Sequence, residues 1–161
     1  MNNDSRYGTW TGAEIEQFLT TTSIPMRISV TTANGPLIVP LWYTYRDQRL
    51  WACSPKDSLL ARSLIPDSNI AFDISTNDIP YKGVRGRGQF ARIDSGGRQQ
   101  LQELLTRYLG DTDNDLSQWL LSRADHEAIL TFRISWITSW DFTARMQDVA
   151  RRPAGGGNLP E

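Results

Sequence analysis

The sequence predicts an α+β, mostly β domain in which six antiparallel strands curl into a small closed or half-closed barrel with flanking helices. Apolar residues alternate with polar ones in several separate runs, among them Met26, Ile28, Val30 and later Leu130, Phe132, Ile134, Trp136. The predicted order is helix, three hairpin-linked strands, helix, two strands, helices and a last strand, which lacks the strand–helix–strand alternation of a parallel sheet. Six strands within about 110 residues suit a barrel.

The opening helix starts at Thr11-Gly12-Ala13-Glu14, which fits a capping box, and Ile15, Phe18 and Leu19 then share one face as far as about Thr20. From Pro25 the period becomes two, giving a strand with one wet face. Asn34-Gly35 supplies a positive-φ pair for a tight hairpin. The returning strand, Pro36 to Tyr45, has no clean alternation, so both of its faces are expected to be covered, and Pro40 must lie on an edge or at a bulge. Arg46 to Arg49 turns the chain into a third strand, Leu50 to Ser54. Ser54-Pro55-Lys56-Asp57 then has the order of a helix cap, a first-turn proline and an acid.

Leu59, Leu60 and Leu64 continue that helix until Pro66. A fourth strand carries Ile70, Phe72 and Ile74, and a fifth runs from Tyr81 to about Ile93 with glycines at 83, 86 and 88. Leu101, Leu104, Leu105, Tyr108 and Leu109 form a clean amphipathic stripe ended by Gly110, and Leu116, Trp119, Leu120 and Ala124 suggest a shorter helix before the last strand. Residues 1–150 are expected to form one domain. The tail 151–161, with three consecutive glycines and no apolar face, is expected to be disordered.

The chain has 161 residues, 39% of them hydrophobic and 22% charged, which is enough to bury a core without disulfides. Seventeen basic residues against eighteen acidic ones leave no field to attract nucleic acid or an anionic membrane. No apolar run is long enough to span a bilayer and the N-terminus lacks a signal-peptide layout, so a cytoplasmic protein is the default expectation. One cysteine and one histidine are too few soft ligands for a structural zinc site.

Catalytic templates fail: there is no nucleophile elbow and no phosphate-binding P-loop. His126 reads as a solvated connection and Cys53 as a small hydrophobe within a strand. In Gly83-Val84-Arg85-Gly86-Arg87-Gly88 the glycines have the wrong order for a dinucleotide fingerprint and suggest instead a bulge or a flat ligand pressed on the backbone. Arg85, Arg87 and Gln89 share one strand face, as a solvated basic stripe or, with nearby aromatics, as a surface for single-stranded nucleic acid, which the neutral overall charge speaks against. The turn Ser54 to Ser58 could hold a phosphate with its hydroxyls and Lys56, or merely cap its own helix, and Asp57 favours the latter.

In their order these segments resemble the FMN-binding split β-barrel superfamily, the pyridoxamine 5′-phosphate oxidase-like proteins. The resemblance runs from Thr9 to about Arg145. It is carried by Glu14 to Leu19, Pro36-Leu-Ile-Val-Pro40-Leu-Trp-Tyr, Leu50-Trp-Ala-Cys-Ser-Pro-Lys-Asp-Ser58, Ala61-Arg62-Ser63-Leu64 with Pro66 to Ala71, Tyr81 to Gly88, and Ser139-Trp140-Asp141. It implies a six-stranded split barrel and a homodimer with a flavin in the cleft between subunits. The backbone of Val39, Pro40 and Leu41 would line the isoalloxazine ring. Ser54, Lys56, Ser58 and Arg62 would surround the phosphate. Lys82, Gly83 and Val84, from either subunit, would approach the ring edge, and Trp140 would close the pocket.

Many relatives carry a basic residue where this chain has Leu60, so the resemblance implies a lighter phosphate grip, or a deazaflavin in place of FMN. The C-terminal arginine and histidine set of the true vitamin-pathway oxidases has no match. The function so implied is a flavin-dependent oxidoreductase passing a hydride between the ring and a small organic substrate or a nicotinamide, with no acid or base demanded of the polypeptide. The alternative is a barrel that carries or senses a flavin or heme without turnover.

Overall fold

The structure, a computed structural model, describes residues 8–93, 96–110 and 112–151. Apart from Arg151 itself, the expected C-terminal tail lies outside the described residues. The elements are α1 (Gly12–Thr21), β1 (Met26–Thr32), β2 (Gly35–Leu41), β3 (Thr44–Arg46), β4 (Arg49–Pro55), α2 (Leu59–Ser63), β5 (Asn69–Ser75), β6 (Lys82–Ile93), α3 (Gly97–Leu109), α4 (Asp115–Ser122), β7 (Glu127–Asp141) and α5 (Thr143–Arg151). A single 3₁₀ turn, Ala124–His126, precedes β7.

The strands form one antiparallel sheet of seven, in the order β2-β1-β5-β6-β7-β4-β3. The two edge strands are consecutive in the chain, with only Trp42 and Tyr43 between them. Three Cα–Cα steps span at most about 11 Å, so the sheet must curl until its edges approach. No ladder joins β2 to β3 among the described residues, and the sheet stays open along that seam.

The seam explains why there are seven strands and not the expected six. The segment Pro36 to Tyr45 does not form one strand, because two large aromatics in succession turn to opposite sides. Tyr43 is fully buried in the main core, while Trp42 packs into a second cluster outside the sheet. There Trp42 stacks on Tyr108 of α3, with ring centres 5.1 Å apart and planes 10° apart. The Tyr43 amide donates to the Tyr108 hydroxyl at 3.3 Å, and that hydroxyl donates to the Ile24 carbonyl at 3.3 Å.

The inner faces of the strands supply Met26, Ile28, Val30, Leu50, Phe72, Ile74, Val84, Phe90, Leu130 and Phe132, and α1 caps one opening with Ile15 and Leu19. Thr11 closes the expected capping box with Glu14, whose carboxyl is lowered by the Thr11 amide and hydroxyl. Outside β4 and β7, α3 and α4 bury Leu101, Leu105 and Leu121 over Cys53 and Trp42. Arg46 ties α3 to the sheet by pairing with Glu103 at 2.7 Å, binding Gln100 at 2.7 Å and lying over the Trp51 ring at 4.2 Å.

Several expectations are corrected. The outer face of β2 is uncovered in the protomer: Ile38 is 67% exposed and Pro40 is exposed, although β2 is the edge strand that Pro40 requires. The first hairpin turns at Ala33-Asn34, with only Gly35 at positive φ; the paired positive-φ turn is Asp47-Gln48, between β3 and β4. Ser54 and Pro55 belong to β4, and Ser58 caps α2. Helix α4 buries Ser117 and Leu121 while exposing Leu116 and Trp119, because the face that meets α3 is the one carrying Leu121. Helix α5, started by Asp141 accepting from the Thr143 amide at 2.8 Å, is an element the apolar pattern did not announce.

Candidate functional site: the open face of the sheet

Helices cover the outside of β4 and the first half of β7, but the outer face of β2, β1, β5, β6 and the second half of β7 carries exposed residues. Strand register places its side chains in rows, since directly opposed residues share a face. One row runs Pro40, Arg27, Asp73, Arg85, Thr138; the next runs Ile38, Ser29, Ala71, Arg87, Trp136; and Ser75, Gly83 and Trp140 stand together at the end. Arg85 and Arg87 are exposed while Val84, Gly86, Gly88 and Phe90 are buried, as the period of two requires. A bulge at Arg87/Gly88 bends β6.

The β6 glycines have causes inside the chain, and the bulge at Arg87/Gly88 is the first of the two alternatives that the sequence left open. A Cβ on Gly86 would sit 2.5 Å from the Phe72 ring and 2.6 Å from the Trp136 carbonyl oxygen. One on Gly83 would meet Ile74 and Ser75, and one on Gly88 the Arg133 carbonyl. By register only Gly83 falls on the open-face side, beside Trp140, but it is buried there against Ile74 and Ser75.

The predicted site residues divide. Pro40 and Trp140 meet the open face, Gly83 lies buried beside Trp140, and Trp140 packs against Phe142 with ring centres 5.1 Å apart. Val39, Leu41 and Val84 turn inward, Val84 completely buried, so only their backbone reaches the edge or face. Lys82 begins β6, its amide accepted by the Thr76 hydroxyl at 3.1 Å. Next to it Asp141 accepts from the Thr143 side chain and amide, which hold its carboxyl below the usual range, and from the Trp10 indole at 3.3 Å.

The presumed phosphate turn is partly self-occupied. The hydroxyls of Ser54, 5% exposed, and Ser58 lie 2.8 Å apart, and Ser58 also accepts from the Ala61 amide at 3.0 Å. Lys56 donates to the Asp125 carbonyl at 2.7 Å, away from the serine pair. Arg62 is exposed on α2 with no side-chain partner among the described residues. A cavity of about 510 Å³ opens beside this turn, where Lys56 and Asp57 meet Arg123, His126 and Glu127. Burial raises the Glu127 carboxyl. Leu60 is 3% exposed within the main core, so its side chain is unavailable to a phosphate for packing reasons.

Neither reactive candidate lies on the open face. Cys53 is packed under α3, where burial pushes its thiol up to about 12, and His126 sits exposed in the 3₁₀ turn. Arg27 and Asp73 are face residues that the sequence did not single out, and Trp136 is a correction: strict alternation groups it with the inward Leu130, Phe132 and Ile134, but the register shift at Arg87/Gly88 turns it to the open face beside Arg87.

No protein-family model and no curated protein sequence matches the chain. Solved structures do. A conserved hypothetical protein, Rv2991, from Mycobacterium tuberculosis superposes with a TM-score of 0.71 at 18% identity, covering 99% of this chain and 100% of that one. A FAD-binding protein from Mesorhizobium loti gives a TM-score of 0.58 at 18% identity over 81% of this chain and 93% of that one. An F420 reductase gives 0.56 at 16% identity over 75% and 94%.

Proposed function

On the fold of the FMN-binding split β-barrel superfamily, which this chain has, we propose that it is a flavin-dependent oxidoreductase acting as a homodimer. The observation that carries this is the open sheet face, which ends at the half-buried Trp140, on a fold shared with a FAD-binding protein and an F420 reductase. A bound flavin supplies hydride chemistry that no side chain on this face can supply.

The chain's own contribution is position and charge. The free edge of β2 offers the Val39, Pro40 and Leu41 backbone to the rim of a planar ring, and the start of β6, Lys82, Gly83 and Val84, offers close approach on the other side. Trp140 walls that end of the face. Arg62, without a side-chain partner among the described residues, would offer its guanidinium to a phosphate, while Ser54 and Ser58 could join only by giving up their mutual hydrogen bond and Lys56 only by leaving the Asp125 carbonyl. A second copy covering the exposed Ile38 and Pro40 would exclude water from the ring. FMN fits this set. A deazaflavin is the other candidate, supported by the likeness to the F420 reductase, and the substrate is a small organic molecule or a nicotinamide in a cytoplasmic setting.

The test is a visible spectrum of the purified protein, followed by titration with FMN while the emission of its six tryptophans is recorded. Saturable quenching and a dimer by light scattering are expected; no quenching together with a monomer overturns the proposal. The likeness to a FAD-binding protein supports a second reading, a carrier without turnover. A bound flavin that neither nicotinamides nor artificial donors reduce would favour it.

A further inference from the structure

Arg85 and Arg87 are left over by the roles assigned above. Arg85 stands on the open face between Asp73 of β5 and Thr138 of β7. Asp73 is the carboxylate of that row, and it is already engaged: Arg27 approaches it at 3.5 Å from the other side and the Ser75 hydroxyl donates to the same oxygen. Arg27 is further held by Asn77 at 2.8 Å. Among the described residues no carboxylate lies within ion-pair distance of Arg85 or Arg87. The Arg87 guanidinium instead lies 4.9 Å over the Trp136 ring, a partner that orients it without neutralising it.

Three arginines therefore stand on this face with one carboxylate, which pairs with Arg27, among the small residues Ser29, Ala71 and Thr138 and bordered by Trp136 and Trp140. Two forked donors beside aromatic faces suit an oxyanion attached to a planar body. Two copies meeting across this face would also oppose two surfaces of like charge, and a bound anion relieves that repulsion. We infer that Arg85 and Arg87 select the substrate, which is a small aromatic acid whose anionic group binds this pair. This rests on the flavin reading for the word substrate, but the anion site itself does not.

The experiment uses full-length protein, free and loaded with FMN, with benzoate as probe and benzyl alcohol as its neutral counterpart. Saturable quenching by benzoate is expected, weakened by about tenfold or more in the double variant Arg85→Gln, Arg87→Gln and partly kept in Arg85→Lys, Arg87→Lys, because a lysine retains charge without the fork. Benzyl alcohol should not distinguish wild type from variant, and unchanged melting curves report an intact fold. Equal benzoate binding by wild type and variant, or none by either, overturns the inference. So does a variant that loses FMN but not riboflavin, since the pair would then hold the cofactor's own phosphate. Protein that binds benzoate through the pair yet never binds flavin retains the anion site and loses the flavin reading alone.

Discussion

The guanidinium of Arg107 lies 5.1 Å over the ring of Tyr43. From α3 it also donates to the carbonyls of Leu19, Thr20 and Thr22 at 2.8, 2.6 and 2.5 Å. One side chain thus closes the C-terminal end of α1, whose last carbonyls have no partner within the helix, and covers the aromatic that plugs the barrel seam. The same low-polarity setting pushes the Tyr43 phenol well above its ordinary range.

Replacing Arg107 by alanine should cost about 1–3 kcal/mol, since charge-assisted hydrogen bonds to partly buried carbonyls are lost. Lysine should recover only part, because one ammonium cannot reach carbonyls that the fork spans. Denaturant unfolding of both variants measures this. Equal stability of the alanine variant and wild type would show the capping to be unimportant.

Gly86→Ala should destabilise by about 2 kcal/mol through overpacking on the Phe72 ring. Combining it with Phe72→Leu should cost less than the sum of the two single changes, as neighbours sharing one space are not additive. A double-variant cycle by thermal unfolding decides whether the glycine is there for packing; strict additivity would mean it is not.

Cys53 should be inert to thiol reagents at pH 8 in the folded protein and react at once on denaturation. Burial raises its thiol from 9.0 to about 12, with Glu127 and Glu103 adding to the effect. Between those values the unfolded chain releases this proton and the folded one keeps it. The folded state therefore loses stability as pH climbs from 9 towards 12, and keeps this contribution in full below 9. Rapid labelling of native protein would contradict the burial.

Arg62→Ala should weaken FMN by about tenfold while leaving riboflavin unchanged, because only the phosphorylated ligand uses the charge. Lys56→Ala should do less, its ammonium being already engaged at Asp125. Comparison of the two ligands by fluorescence titration is the measurement. Equal losses for both would place the phosphate elsewhere.

Leu60→Lys should not strengthen the phosphate grip. The position is 3% exposed within the core, so a charge there should cost about 3 kcal/mol in stability. Tighter FMN binding by a stable variant would show that the side chain can turn outward.

Local pattern determined most of the elements by itself. The capping box at Thr11, the alternation in β1 and β6, the stripe on α3 and the stop at Gly110 are short-range interactions written in adjacent residues, and each is present. The inert cysteine was legible for the same reason, from its apolar neighbours. The likeness to flavin-binding barrels could be read from segment order, because order survives when individual residues drift.

Contacts between residues far apart in the chain needed the fold. Trp42 and Tyr43 divide a strand only because Tyr108 and Arg107, more than sixty positions later, receive them on opposite sides of the sheet. The reason for Gly86 is Phe72 on a neighbouring strand, and Asp73, the carboxylate opposite Arg85, pairs with Arg27 of the strand on its other side. Backbone periodicity dictates which way a side chain points. Register between strands dictates what it meets, and that is settled only when the whole sheet packs at once.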